Sequence, residues 1–201
     1  MPAHSHAATA LSFSSYTGSF TDGVGRVIGW EFSTTAAPVQ VTHLGFFDEG
    51  ANGLASSHAV GLYLKSTKAL VASVIVPAGT SASLDGFFRM ESITPVSLLP
   101  ATEYVIAASW AANSDPWLWD DGLLGVSMND LVISPLITAG TQPGRYEDTT
   151  SILEFPDLLI SGNRNFFVGP NLTVVPEPTR AMMLATAAFA GMVLRRRRIR
   201  E

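Results

Sequence analysis

Apolar residues recur at every second position along much of the chain, which is the period of half-buried β-strands. Such alternation is clear from Ile28 to Phe32, from Val60 to Leu64 and from Tyr104 to Trp110. Gly, Pro, Asn, Asp and Ser separate the apolar runs and mark turns. The further predicted strands are Val39–Phe47, Leu70–Val76, Gly86–Ile93, Leu131–Ile137, Glu154–Ile160 and Phe166–Val168. Because no long helical segment intervenes between these runs, the pattern predicts an all-β domain.

One short segment indicates how the strands connect. Leu98, Pro100, Thr102 and Tyr104 stand at alternate positions, in an order that resembles the tyrosine corner of fibronectin-type sandwiches. In such a corner the proline sets a turn and the tyrosine hydroxyl bonds to backbone upstream. We therefore expect an antiparallel Greek-key β-sandwich, of the fibronectin or jelly-roll kind, over residues 10–173.

Part of the chain is also similar to secreted bacterial sandwich domains of unknown function. The segments that carry this similarity are Gly29–Phe32, Leu44–Asp48, His58–Leu62 and Tyr104–Ile106. They fall within residues 26–110. The similarity implies a fold and an extracellular setting, but it implies no activity.

The composition narrows the class of protein. Hydrophobic residues make up 47% of the 201 residues and charged residues 14%, so the chain can bury a core and is not a disordered polar chain. The formal net charge of −5 argues against a nucleic-acid partner. There is no cysteine, which excludes disulfide scaffolds, thiolate metal sites and cysteine nucleophiles.

The charge is divided unevenly between the body and the end of the chain. Residues 1–179 hold six basic and sixteen acidic side chains, which gives a net charge of −10. Residues 180–201 hold six arginines and one glutamate, which gives +5. An acidic body joined to a basic tail indicates two parts that meet different surroundings.

An uncharged apolar segment lies within the basic tail. Ala181–Leu194 has Thr186 as its sole polar side chain and, as a helix, would be about 21 Å long. This is shorter than the roughly 30 Å hydrocarbon core, but arginines at both ends can reach toward the headgroups. The arginines expected to stop the chain on the cytoplasmic side are Arg195, Arg196, Arg197 and Arg198. We therefore predict a short membrane-anchoring helix; the alternative is an amphipathic core helix that ends in a solvated basic patch.

A proline-rich tripeptide lies just before the apolar segment. Pro176, Glu177 and Pro178 form a non-helical, extended stretch, followed by the apolar helix at 181–194 and the arginine cluster at 195–200. This order resembles the PEP-CTERM sorting signal of exported bacterial proteins. The resemblance implies that an exosortase, a membrane-embedded cysteine transpeptidase, recognises the tripeptide and removes the tail, residues 174–201. The range 174–201 is the whole predicted sorting region, and the expected cut separates the tail at the tripeptide. The resemblance further implies a protein anchored transiently in the inner membrane and then placed at the cell surface or outside the cell.

A sorting tail of this kind requires export, which normally begins with a signal peptide. Residues 1–9 have neither a basic start nor an apolar stretch, although the small residues Ser5 and Ala7 resemble the end of such a peptide. We interpret residues 1–9 as the remnant of an export signal and hypothesise a translation start upstream of Met1. The alternative is export by another route, or no export.

One loop has the composition of a calcium site. Asp48, Glu49 and Asn52 lie within five positions and offer carboxylate and amide oxygens, the ligands that calcium prefers. The spacing is not that of an EF-hand, and the same residues are typical of a tight turn. Calcium is therefore the one cofactor considered, and a plain turn is the alternative.

The most aromatic polar stretch spans residues 115–122. Trp117 and Trp119 would share one face of an extended segment, beside Asp120 and Asp121. Exposed tryptophans can stack on sugar rings while carboxylates bind hydroxyl groups, which would make a carbohydrate site. The alternative, which we favour, is that the tryptophans cover one end of the sandwich and the aspartates form turns.

Signatures of catalysis are weak. His4 and His6 fall within the export remnant, and His43 and His58 lack the spacing of metal ligands. A glycosidase pair of carboxylates remains an open alternative, because two acids can meet in space from any positions. The leading prediction is a non-catalytic surface or extracellular-matrix protein. The alternative is a secreted carbohydrate-binding or carbohydrate-active domain that meets extracellular polysaccharide through Trp117, Trp119 and Asp120.

Overall fold

The computed structural model describes residues 7–21, 23–120, 127–148, 152–159 and 166–177, and these are nearly all β. The strands, in chain order, are β1 Ala8–Thr9, β2 Leu11–Ser12, β3 Ser15–Thr17, β4 Arg26–Thr34, β5 Val39–Phe47, β6 His58–Leu64, β7 Ala69–Val76, β8 Ser83–Asp85, β9 Phe88–Leu98, β10 Glu103–Trp110, β11 Leu118–Asp120, β12 Ser127–Asn129, β13 Val132–Ile133, β14 Ile137–Asp148, β15 Leu158–Leu159, β16 Phe166–Val168 and β17 Pro170–Pro176. A turn of 3₁₀ helix, Glu49–Ala51, follows β5. The predicted all-β fold is confirmed, whereas the helix predicted over 181–194 lies outside the described residues.

Two antiparallel sheets hold most of the strands. The first has the order β1-β17-β5-β9-β8 and the second the order β15-β14-β4-β10-β6-β7. Three further pairs join β11 to β16, β12 to β3 and β13 to β2. Most neighbours are distant in the chain, so tertiary packing rather than hairpin turns sets the strand order.

The two large sheets share one hydrophobic core. Phe46 and Leu172 enter it from the first sheet, and Trp30 and Ile106 enter it from the second; all four are fully buried. The Trp30 indole N–H donates to the Pro170 carbonyl at 2.9 Å and so links the sheets. This bond satisfies a donor that would otherwise be buried without a partner.

Several predicted strands are confirmed in position. β5 and β16 have the predicted bounds, and the alternating runs fall within β4, β6 and β10. The strand predicted over Gly86–Ile93 begins later and continues further, because Gly86 lies in a turn with φ +61° and β9 extends to Leu98.

Two predicted strands were largely wrong. Of Leu131–Ile137, only Val132–Ile133 forms a complete strand, because the Ile137 N–H bonds back to the Ser134 carbonyl and makes a turn. Of the described part of Glu154–Ile160, only Leu158–Leu159 is a strand. Leu153 and Phe155 instead pack against the outer face of the second sheet.

The folded sheet also crosses the predicted domain boundaries. Ala8 and Thr9 form β1, within the segment interpreted as an export remnant. β17 continues through Pro176, beyond the predicted boundary at 173. The first sheet therefore begins two residues earlier, and ends three residues later, than the sequence indicated.

Candidate functional site

The sorting tripeptide begins within the folded sheet, and its second residue is hydrogen-bonded to a neighbouring loop. Pro176 is the last residue of β17 and is the register partner of Val39. The Glu177 N–H donates to the Pro38 carbonyl at 3.0 Å. The backbone is extended here as predicted, but the sheet runs into the motif without a linker. The remaining predicted residues of the signal lie outside the described residues: Pro178, 181–194, Arg195, Arg196, Arg197 and Arg198.

Both described ends of the chain lie on neighbouring strands. Ala8 pairs with Val174 and Thr9 pairs with Thr173 in antiparallel register. The buried Asn171 side chain adds two bonds, accepting from the Leu11 N–H at 3.2 Å and donating to the Leu11 carbonyl at 2.8 Å. The polypeptide therefore enters and leaves the domain at the same end of the first sheet.

Two hydrogen-bonded loops, residues 34–38 and 99–102, lie beside the start of the tail. The Thr34 hydroxyl donates to the Leu99 carbonyl at 2.6 Å, and the Ala101 N–H donates to the Thr35 carbonyl at 3.0 Å. The Leu99 N–H donates to the Tyr104 hydroxyl oxygen at 2.9 Å. This last bond confirms the predicted upstream contact of the tyrosine corner.

Trp117 and Trp119 share one face, as predicted. Their ring centroids are 6.0 Å apart, and both rings contact Phe20 and Phe167. Trp117 is 4% exposed and Trp119 is half-buried, so these rings serve mainly in packing. The Trp117 Nε1–H is buried without an acceptor in the described part of the chain. The Asp120 side chain and Asp121 lie outside the described residues.

The loop predicted for calcium contains a buried ion pair. Arg89 Nε donates to Asp48 Oδ2 at 2.7 Å, and both side chains are almost fully buried. Both Asp48 oxygens also accept the Gly53 N–H, at 3.1 and 3.0 Å. The Arg89 guanidinium further donates to the carbonyls of Ala51, Thr80 and Ala82. Asp48 thus has a cationic partner already, and it closes the turn in which Glu49 and Asn52 lie.

No group of three or more His, Asp or Glu side chains suited to a metal ion occurs within the described ranges. The calcium prediction for Asp48, Glu49 and Asn52 therefore has only its residue types to support it. The turn alternative, by contrast, has the hydrogen bonds of Asp48 to Gly53 in its favour.

A second buried pair, His58 and Asp115, was missed by sequence reasoning. His58 Nε2 lies 3.0 Å from Asp115 Oδ2, and its Nδ1 lies 3.1 Å from the Ser109 carbonyl oxygen. The imidazole is 1% exposed and stacks on Phe46, with ring centroids 3.7 Å apart. Both ring nitrogens of His58 are therefore engaged by acceptor atoms of the protein. The pair joins the start of β6 to the segment that follows β10.

The electrostatics of Asp115 follow from this pairing. Burial alone would raise the pKa of its carboxyl group, but hydrogen bonds from His58 and from the Ala55 and Ser56 N–H groups outweigh that effect and lower it. These backbone bonds measure 2.6 and 2.9 Å. Asp115 thus anchors the end of the same loop that Asp48 closes at its start.

The outer face of the second sheet carries a smaller cluster. Tyr63 is buried there beside Phe155, with ring centroids 5.7 Å apart. Burial, with a smaller contribution from the Glu154 charge, raises the pKa of Tyr63 to about 12. Next to it, Glu31 accepts from Arg145 at 2.6 Å and from Lys65 at 3.2 Å. The Tyr63 hydroxyl is therefore protonated at physiological pH.

Comparisons with known proteins give no assignment. No protein-family model matches the chain, and no curated protein matches it. In the described part of the chain, no helix has both the length and the apolar character needed to cross a membrane.

Proposed function

We propose that this chain is an exported, non-catalytic protein, sorted through its C-terminal tail and processed at Pro176-Glu177-Pro178 by an exosortase-type transpeptidase. The order of tripeptide, apolar segment and arginine cluster supports the proposal. So does the division of charge between an acidic body and a basic tail, because a membrane-spanning tail and a released domain need different surfaces.

The observation that carries the proposal is the position of the tripeptide at the end of β17. Pro176 closes the last described strand, and Glu177 makes one further backbone bond. Removal of the residues after the tripeptide would therefore take away no described core residue. The released domain would keep its complete first sheet and a net charge near −10.

For the domain itself, we propose a Greek-key β-sandwich of the fibronectin or jelly-roll kind that serves as a structural or binding module at the cell surface or in the extracellular matrix. Three features support it: the core shared by the sheets, the long-range strand order and the Tyr104–Leu99 bond of the corner. A short apolar helix over 181–194 completes the proposed architecture.

Processing can be tested by expressing the full chain behind an export signal, in a bacterial host with and without an exosortase-type transpeptidase. We expect intact-mass analysis to show loss of the tail only where the enzyme is present. Glu177→Ala should block this loss, whereas the control Glu103→Ala, at an exposed glutamate of β10, should be processed normally. Retention of the tail on the wild-type chain, or equal processing of both variants, would contradict the proposal.

Carbohydrate binding at Trp117, Trp119 and Asp120 is the second candidate. One observation favours it: Trp119 is only half-buried, so part of an aromatic side chain is accessible to a sugar ring beside Trp117. The test is retention of the purified domain on extracellular polysaccharide, comparing Trp119→Ala with Phe155→Ala, which removes a half-buried ring elsewhere. Selective loss of retention in Trp119→Ala, with a wild-type melting curve, would support this candidate. Equal retention of wild type and both variants would count against it.

A further inference from the structure

The tether between the folded domain and the apolar segment is very short. Glu177 is fixed to Pro38 by its backbone hydrogen bond. Only Pro178, Thr179 and Arg180 separate Glu177 from Ala181, the first residue of the apolar segment. Four residue steps of fully extended chain cover at most about 14 Å. This inference rests on the proposed function: if 181–194 lies in the membrane, one end of the domain must lie close to the lipid surface.

The end of the domain beside the tether has an uncharged, apolar surface. We name it the exit face; its residues, all exposed, are Ala36, Ala37, Pro38, Leu99, Pro100 and Ala101. Leu99 is the largest of them and is 61% exposed. Backbone and hydroxyl bonds join the two loops that carry these residues, so the face is preformed. Among the described residues, the charged groups that neighbour the exit face along the chain or through hydrogen bonds are Glu177 and the Glu103–Lys65 ion pair.

The opposite end of the sheets has a different character. β5 runs from Val39, next to the exit face, to Phe47, over a distance of about 27 Å. Beyond Phe47 lie Glu49 and, across the ladder with β9, the exposed Asp85. A membrane that contains anionic lipid has a negatively charged surface, and such a surface repels carboxylates. The charge distribution therefore favours the same orientation as the short tether.

From the tether and this surface we infer that the exit face rests against the lipid headgroups while the tail is anchored. Leu99 and its neighbours then contact the membrane interface, and the Asp85 end points away from it. The domain is thereby held in one orientation, with Pro176 and Glu177 at the membrane surface.

The absence of cysteine allows a direct test with single labelled positions. Leu99→Cys and, as a matched control, Leu84→Cys are labelled with a polarity-sensitive fluorophore. Leu84 is also an exposed leucine, 45% accessible, and it precedes Asp85 at the far end. The full chain is reconstituted in vesicles of phosphatidylethanolamine and phosphatidylglycerol. We expect the label at 99 to shift to shorter wavelength and to be quenched by headgroup-labelled lipid, and the label at 84 to do neither.

The outcomes separate this inference from the proposed anchor. If the chain associates with vesicles but both labels stay in water, the orientation is wrong and the anchor stands. If the chain does not associate at all, both are overturned. A shift at 99 that occurs without lipid and grows with protein concentration would identify a second copy as the occupant, and would overturn the inference. Near-ultraviolet circular dichroism checks that both variants are folded. Positions 99 and 84 are exposed, so the substitutions should leave the spectrum unchanged.

Discussion

The loop between β5 and β6 is held at each end by a buried carboxylate, but the two carboxylates have different partners. Asp48 closes the start of the loop onto Gly53 and pairs with Arg89. Asp115 binds the end of the loop through the Ala55 and Ser56 N–H groups and pairs with His58. A guanidinium is charged at every pH at which proteins fold, whereas an imidazole exists in charged and neutral forms. The start of the loop is therefore held through a guanidinium and its end through an imidazole.

The largest effect is expected at the arginine end. Arg89→Met leaves the Asp48 carboxylate buried without its cation and removes the donors to three carbonyl groups, which should lower the free energy of unfolding by about 4 kcal/mol. Urea denaturation at an unchanged m-value measures this loss. The control is Arg26→Met, which breaks the more exposed pair with Asp148 and should cost at most about 1 kcal/mol. Equal losses in the two variants would show that the ion pair of Arg89 contributes no more to the free energy of unfolding than that of Arg26.

A somewhat smaller effect is expected at the histidine end. His58→Leu removes one donor to Asp115, one donor to the Ser109 carbonyl and the stack on Phe46, and we expect a loss of about 3 kcal/mol. Asp115 keeps its two backbone donors, so the loss should stay below that of Arg89→Met. Chemical denaturation of both variants under one condition ranks them. A larger loss of stability in His58→Leu than in Arg89→Met would contradict this ranking of the two ends of the loop.

The stabilising contribution of Asp115 should depend on pH. Because the pKa of Asp115 in the folded protein lies below the ordinary value of 3.8, its ionised form stabilises the fold above that pH. This contribution is lost as the pH falls below 3.8 through the lower folded value. The melting temperatures of wild type and Asp115→Asn should therefore differ at pH 7 and converge as the pH falls below 3.8. Parallel curves over the whole range would contradict the predicted shift.

The smallest effect is expected from added calcium. Since Arg89 already neutralises Asp48, we expect millimolar calcium to leave the melting temperature of the wild-type protein unchanged. Calorimetric titration with calcium, with magnesium as the control cation, provides the second measurement. A calcium-specific rise that Asn52→Ala abolishes would instead support a metal site at Asp48, Glu49 and Asn52.

The sequence predicted strands well where apolar residues alternate without interruption. β5 has the predicted bounds because its flanks, Pro38 and Asp48, are clear turn signals. β14, the longest strand, was not predicted, because Gly140, Pro143 and Gly144 interrupt any alternation. Its ladder with β4 shifts register between Ala139 and Gly144, and this irregularity accommodates those residues.

The buried pairs could not be predicted from local patterns. His58 and Asp115 are 57 positions apart, and Asp48 and Arg89 are 41 apart. Each residue taken singly has the features of an ordinary loop or strand residue, and only the packing of the sheets brings the partners together. The sequence likewise indicated that Trp117 and Trp119 share a face, but their burial depends on Phe20 and Phe167, which come from distant segments.

The position of β17 has a consequence for the order in which the chain can fold. β17 lies between β1 and β5, so the last described strand takes an interior position in the first sheet and pairs residue 174 with residue 8. Because the chain is synthesised from its N-terminus, the place between β1 and β5 stays empty until residues 170–176 have been made. Such long-range closure is slow, and β5 keeps an unpaired edge until it occurs. The domain therefore becomes complete only as the tripeptide itself emerges, which couples the end of folding to the arrival of the tail.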